Sequence, residues 1–169
     1  MSRLGELRLQ RLGAALATNL THAGSSIGVA AINMRTIRTL SHADAVNMVG
    51  AVQARLEERG KDAAVAVVDA HGELIAFLRT DDCRLSCISV AINKAYTAAR
   101  ERAESKLLGD AAKERGFPLT NFGELRYVTW GGGVPVQVGG EVIGAVGVSG
   151  LSEEEDTELA LMAASLVSA

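Results

Sequence analysis

The sequence predicts an α+β fold in which an antiparallel sheet of about five strands is flanked by helices. Two runs rich in Val and Ala or in alternating apolar residues enclose the turn at residues 69–72, which predicts a hairpin. A second hairpin is predicted around the glycine pair at residues 139–140. Because helical patterns lie between and outside these hairpins, the order indicates an antiparallel sheet and not a parallel βαβ architecture.

Local signals set the bounds of each element. Ser41 and Asp44 form the pattern of a capping box, so a helix is predicted over residues 41–59, ending before Gly60. Strands are predicted over residues 63–69 and 73–79, helices over 84–100 and 105–115, and strands over 126–130, 134–138 and 141–148. Ser152 caps a final helix that runs to about residue 167 and carries acidic residues in its first turn.

The helix over residues 84–100 combines an apolar face with a polar stripe. The residues expected to face the core are Leu85, Ile88, Ile92, Ala95 and Ala99. Asn93, Thr97 and Arg100 fall on a separate stripe, with Lys94 beside it. Four polar side chains therefore converge on one side of this helix.

Length, net charge and the distribution of apolar residues narrow the classes of protein to which this chain can belong. The 169 residues fit one domain, and the net charge of −3 gives no basic surface for nucleic acid. No apolar run reaches the roughly 18 to 20 residues that a membrane span needs. We therefore expect a small-molecule ligand as partner, and neither nucleic acid nor membrane.

Residues 1–33 differ from the rest of the chain, since arginines flank short, weakly hydrophobic pieces. We expect a poorly ordered extension, with the folded domain over residues 34–169. Two other interpretations stay open: a translation start placed too early, and a weak targeting segment. The protein is expected in the cytoplasm, with export as the alternative if residues 1–33 act as a signal.

The two cysteines, Cys83 and Cys87, are four residues apart. No further Cys or His stands at a spacing suited to a metal ion, so no metal site is predicted. Reduced cysteines partly in the core are the expected state.

A glycine-rich loop follows the polar helix by about thirty residues. Gly131, Gly132 and Gly133 precede Val134 and Pro135. Glycine lets a ligand or another backbone approach closely, so the loop and the polar helix together predict a pocket. Close crossing of two strands is an equally weighted explanation of the triple glycine.

Five blocks in order resemble the GlcG/HbpS family, which also occurs as the C-terminal domain of PduO-type corrinoid adenosyltransferases. They are VAVVDAHG at 65–72, AFLRTD at 76–81, NKAYTA at 93–98, GGGVP at 131–135 and GAVGVSG at 144–150. The resemblance covers about residues 39–166. It implies a profilin-like sheet, closed homo-oligomers, and haem binding or degradation in several members.

The resemblance also implies candidate site residues. Asn93, Lys94 and Thr97 match the family's helix motif, and the three glycines with Pro135 match its loop. Family members hold haem iron through a hydroxyl or a histidine, which makes Thr97 and His42 the candidates here. A surface histidine that ligates nothing is the simpler interpretation of His42.

Two functions of different class stay open. In the first, the protein is a homo-oligomeric binding module for haem or another tetrapyrrole, with Lys94 or Arg79 pairing a propionate and the glycine loop against the ring. In the second, it is a cofactor-independent enzyme acting on a compact anionic metabolite. Its candidate catalytic residues are Lys94, as base or carbonyl-polarising group, and Asn93, while the glycine loop steadies an oxyanion.

Overall fold

A computed structural model describes residues 34–167, and the extension predicted over residues 1–33 lies outside this range. The elements are α1 (His42–Arg59), β1 (Ala64–Asp69), β2 (Leu74–Arg79), α2 (Ser86–Glu101), α3 (Ser105–Arg115), a 3-10 helix (Leu119–Phe122), β3 (Gly133–Val138), β4 (Glu141–Ser149) and α4 (Glu153–Ala164). Most bounds agree with the sequence prediction to within one or two residues. Across residues 34–167 we find no helix with the length and apolar character needed to cross a membrane.

The strands form one antiparallel sheet in the order β2-β1-β4-β3. The predicted α+β class is therefore confirmed. Over the described residues the sheet has four strands, so the prediction of about five is slightly too high.

The missing strand is the one predicted over residues 126–130. Its backbone groups are bound by helix side chains instead: the Val128 N–H donates to Thr97 Oγ1 at 2.9 Å, and the Trp130 carbonyl accepts from Ser105 Oγ at 2.7 Å. A segment whose backbone is bound in this way is not available for a strand ladder.

Helices cover both faces of the sheet. On one face, α1 and α4 pack on large side chains, among them Val65, Val67, Val146 and Val148. On the other face, α2 packs on small residues of β1 and β4, namely Ala64, Ala66 and Ala145. The two faces therefore differ in the size of the side chains on which their helices pack.

Two glycines let α2 lie close to the sheet. Gly133 and Gly147 are paired across β3 and β4. A Cβ at Gly147 would collide with the carbonyl oxygen of Ala91 and lie 2.6 Å from Ala95 N, while a Cβ at Gly133 would collide with the carbonyl oxygen of Lys94. This pair of glycines explains part of the glycine pattern as close helix-to-sheet packing.

The face that α2 turns to the sheet differs from the predicted one. Ala95 and Ala99 are buried as expected, but Leu85 is 71% exposed and both Ile88 and Ile92 are only half-buried. Because the sheet beneath α2 is lined by Ala and Gly, the helix approaches it with its small residues and backbone. Of the three bulky residues, Ile92 packs against this cluster of small residues, while Leu85 and Ile88 do not.

Candidate functional site

Lys94 is the most deeply buried charged residue of the predicted site. Its side chain is 1% exposed, and Nζ donates to Asp156 Oδ2 at 2.7 Å and to the Val148 carbonyl at 2.8 Å. The second oxygen of Asp156 accepts from the Leu151 N–H at 3.1 Å. The ammonium and the carboxylate thus satisfy one another inside the protein, which a buried charge requires.

Gly132 lies directly beside this ion pair. It has a positive φ of 101°, and a Cβ there would be 2.8 Å from Lys94 Nζ and 2.8 Å from Asp156 Cβ. The predicted proximity of Lys94 to the glycine loop is therefore present. The space between them is occupied by the ion pair itself.

Thr97 and Asn93 are joined by a hydrogen bond within α2. Thr97 is fully buried; its hydroxyl donates to the Asn93 carbonyl at 2.7 Å and accepts from the Val128 N–H. Asn93 is half-buried. Thr97 thereby ties the segment after the 3-10 helix to α2.

The rest of the glycine loop packs against neighbouring helices. A Cβ at Gly131 would lie 2.5 Å from Thr157 Oγ1 of α4, and the Gly133 N–H donates to Ser105 Oγ at 3.1 Å. Pro135 is half-buried in β3, which is an edge strand. Proline is tolerated there because an edge strand has ladder positions that need no N–H.

Arg79 and His42 lie on other parts of the surface. Arg79 donates to the Cys83 carbonyl at 3.3 Å and borders a cleft of about 540 Å³ that also contains Glu57, Asp81 and Asp82. His42 is exposed at the first residue of α1. The structure thus brings Lys94 next to Gly132 and Gly133, ties Thr97 to Val128 instead, and places Arg79 in a cleft rich in carboxylates.

A chain of aromatic rings was not expected from the sequence. The ring centroids are 5.8 Å apart for Phe117 and Phe122, 5.3 Å for Phe122 and Tyr127, and 6.0 Å for Tyr127 and Tyr96. We call these four residues the aromatic ridge. A signal was present: aromatic residues are only 4% of the chain, and all but Phe77 fall between residues 96 and 130.

Charged groups surround the Tyr96 end of the ridge. The Arg126 guanidinium lies 3.8 Å and that of Arg100 5.1 Å from the centre of the Tyr96 ring. Hydrogen bonds from the Arg126 side chain and backbone, and from the Tyr96 hydroxyl, lower the pKa of Glu124 to about 2. Burial and the hydrogen bond to Glu101 raise the pKa of Tyr127 to about 12.

An apolar groove lies at the other end of the ridge. Its volume is about 390 Å³, and its lining is apolar except for one arginine: Leu108, Ala111, Ala112, Arg115, Phe117, Leu119 and Phe122. Phe117 is 46% and Phe122 50% exposed. The groove can therefore hold a flat apolar molecule and offer a cation to an acidic group on it.

Comparison with known proteins gives a family match over most of the chain. The family model described as "Haem degrading protein HbpS-like" matches residues 40–165. An uncharacterized 15.0 kDa protein of Citrobacter freundii is 40% identical, with 73% of this chain aligned to 89% of that protein. Protein GlcG of Escherichia coli K12 is 35% identical, with 69% of this chain aligned to 85% of that protein.

A solved structure supports the same relationship. The crystal structure of a PduOC:heme complex superposes with a TM-score of 0.70 at 29% identity, covering 76% of this chain and 95% of the other. The resemblance read from the five sequence blocks is confirmed by these matches.

Proposed function

Because this chain belongs to the HbpS-like family, we propose that it binds haem or another tetrapyrrole on the aromatic ridge and its groove. The observation that carries the proposal is the groove, whose lining is apolar apart from Arg115. The structural likeness to a PduOC:heme complex at 29% identity supports the choice of ligand.

The chemistry of the groove fits a tetrapyrrole. Such a ring has a large apolar face and carries carboxylates at its edge. Half-exposed Phe117 and Phe122 offer aromatic surface to the face, and aromatic pairs contribute about 0.5–1.5 kcal/mol beyond their buried area. Arg115 offers a guanidinium to a carboxylate. Arginine side chains commonly bind carboxylates through two parallel hydrogen bonds.

The groove forms one wall of the proposed site. A ring that lies in it keeps its other face uncovered within one subunit. The homo-oligomer expected from the sequence would cover that face, so we propose that the complete site lies between subunits. Bound haem would supply redox-active iron at this surface.

The family motif residues act in this proposal by positioning the ridge. Thr97 holds Val128, the residue next to Tyr127, and Ser105 binds both Trp130 and Gly133. Lys94 is linked to the end of the same segment through Val148, whose carbonyl accepts from Lys94 Nζ and whose N–H donates to the Gly132 carbonyl. These residues thereby set the course of the segment that carries part of the ridge.

The enzyme hypothesis stays a prediction with less support. Lys94 Nζ is hydrogen-bonded to Asp156 and Val148, and its side chain is 1% exposed. A base or a carbonyl-polarising group must reach its substrate within hydrogen-bond distance. For Lys94 to do so, the ion pair would have to open first.

The proposal is tested by adding haemin to the full chain and following the Soret band. We expect a saturable shift, and about tenfold weaker binding for Phe122→Ala, which corresponds to about 1.4 kcal/mol of lost contact. Leu125→Ala is the matched control, because Leu125 is 87% exposed and does not line the groove. A shift that never saturates, or equal weakening by both variants, would contradict the proposal.

A further inference from the structure

We propose that the site selects tetrapyrroles with two free carboxylates at one edge, and that Lys113 binds the second carboxylate while Arg115 binds the first. This inference rests on the proposed tetrapyrrole-binding function and deepens it by naming the class of ligand and a further binding residue. Porphyrins such as haem belong to this class, whereas corrinoids carry amides at their edge.

A second cavity adjoins the groove, and we call it the adjoining cleft. Its volume is about 490 Å³, and it shares Ala112, Phe117 and Leu119 with the groove. Lys113 lines the adjoining cleft, as Arg115 lines the groove. A ligand that rests on the shared residues therefore has a cation on either side of it.

The helical periodicity of α3 explains why the two cavities meet at Ala112. Residues 108, 111, 112 and 115 line the groove, and residues 109, 112, 113 and 116 line the adjoining cleft. Each set follows the spacing of one helix face, so the two cavities lie along neighbouring faces of α3. Glu114 stands between the two cations in the sequence but lines neither cavity.

Phe117 is held beside the two cations by the way α3 ends. Gly116 ends the helix in the left-handed conformation with a φ of 61°, and the Phe117 N–H donates to the Ala112 carbonyl at 2.9 Å. The chain thereby turns back beside the last helical turn, which contains Lys113 and Arg115. Because Phe117 is 46% exposed, its ring offers apolar surface to a flat ligand next to both charges.

Both cations are available to an anionic ligand. Among the ion pairs formed within residues 34–167, none involves Lys113 or Arg115. The carboxylate of Asp110, which also lines the adjoining cleft, lies 3.5 Å from Lys106 Nζ. A bound ligand therefore meets two cations without counter-charges and one carboxylate that already has a partner.

Two cations beside an aromatic surface match a ring with two adjacent propionates. These propionates are ionised near neutral pH, because the pKa of an ordinary carboxyl group is about 4. Arg115 can bind one carboxylate through two parallel hydrogen bonds, and Lys113 offers a compact positive charge to the other. The neutral amides of a corrinoid give neither cation a counter-charge.

The test compares mesoporphyrin IX with its dimethyl ester on the full chain, through the fluorescence of Trp130. Both probes lack a metal, so coordination of iron does not contribute to their affinity. Thr129 lines the adjoining cleft, so a ring bound across both cavities lies near the neighbouring Trp130 and should quench it. We expect saturable quenching by the free acid and about tenfold weaker binding of the ester, which carries no charge for either cation.

Lys113→Met tests the second contact. We expect it to weaken binding of the free acid by about threefold and to leave binding of the ester unchanged. Lys106→Met is the matched control, because it removes the same charge from the same helix at a residue that lines neither cavity. Both lysines are exposed, so neither replacement should disturb the fold.

Dicyanocobinamide gives a second comparison of ligands. It is a corrinoid whose edge carries amides, so we expect it to bind more weakly than mesoporphyrin IX by at least the factor found for the ester. Binding as tight as that of mesoporphyrin IX would overturn the assigned class of ligand.

The outcomes separate the class of ligand from the proposed function. Weaker binding of the ester, with Lys113→Met affecting the free acid alone, supports the inference. Saturable haemin binding overturns the inference and leaves the function standing if mesoporphyrin IX does not bind, if acid and ester bind equally, or if Lys113→Met and Lys106→Met have equal effects. No saturable binding of haemin overturns both.

Discussion

Lys94 and Asp156 join helices on opposite faces of the sheet through a buried ion pair of 2.7 Å. Gly132 leaves the space in which the two charged groups meet, since a Cβ there would be 2.8 Å from Lys94 Nζ. The motif lysine and the motif glycine are thus parts of one packing arrangement. The ion pair needs a glycine at position 132 for steric reasons, and the buried Lys94 needs Asp156 for electrostatic reasons.

Removing one partner of this pair should be severely destabilising. We expect Asp156→Ala to lower the free energy of unfolding by about 3–5 kcal/mol, because it leaves the Lys94 ammonium buried without a counter-charge. The double variant Lys94→Met, Asp156→Leu should recover much of the loss. Urea unfolding measures both.

A surface pair provides the control for this experiment. Lys106 and Glu153 lie 3.2 Å apart with side chains 52% and 36% exposed. Lys106→Met should cost less than about 1 kcal/mol, because exposed ion pairs contribute little. Equal losses for Lys106→Met and Asp156→Ala would show that the buried pair has no special role.

Gly147 and Gly50 should respond to alanine in opposite directions. A Cβ at Gly147 would collide with the Ala91 carbonyl, so Gly147→Ala must displace α2 and should cost about 1–3 kcal/mol. Gly50 lies in α1 with open space around its Cβ position, and Gly50→Ala should stabilise by about 0.5–1 kcal/mol. If Gly147→Ala leaves the thermal midpoint unchanged, α2 does not lie as close to the sheet as described.

Glu124 should titrate far below an ordinary glutamate. Because the Arg126 and Tyr96 hydrogen bonds lower its pKa from 4.5 to about 2, they stabilise the folded state above pH 4.5. That contribution is lost as the pH falls from 4.5 towards 2. An NMR titration of the Glu124 carboxyl measures the pKa directly.

Replacement of Arg126 tests the cause of this shift. Arg126→Gln should raise the pKa of Glu124 towards its ordinary value, since the largest contribution comes from the arginine side chain. Arg55→Gln is a control on an exposed arginine that pairs with Glu58 instead. A Glu124 pKa that stays near 2 in Arg126→Gln would contradict the described contact.

Apolar side chains at the start of α2 should contribute to assembly. Leu85, which caps the helix, is 71% exposed, and Ile88 in its first turn is half-buried. We expect light scattering to give a mass above the 17.6 kDa of one chain, and Leu85→Glu to lower it. A monomer mass for the wild type at micromolar concentration would refute the expected homo-oligomer.

The helix and strand bounds were predictable because their signals are local. Ser41 and Asp44 form the capping box that the sequence indicated, and Gly60 ends α1 in the left-handed conformation. Local reasoning failed over residues 126–130, where side chains of Thr97 and Ser105 bind the backbone from elsewhere in the chain.

The candidate site was predictable only in part for the same reason. The proximity of Lys94 to Gly132 was expected, but its partner Asp156 is 62 residues away and stands among the acidic residues at the start of α4. The helix dipole alone favours acidic residues at the start of a helix, so Asp156 carried no separate signal of a buried lysine partner. The rings of the aromatic ridge follow no helical or strand period, so their contact emerges only from the fold.

Fluorescence of Trp130 tests tetrapyrrole binding most directly. The chain contains one tryptophan, and its neighbour Thr129 borders the cleft next to the groove, so haem bound there should quench its emission. We predict saturable quenching by haemin that is weakened by Phe122→Ala and unaffected by Leu125→Ala. Quenching that rises linearly without saturation, or identical curves for the wild type and Phe122→Ala, would contradict the account.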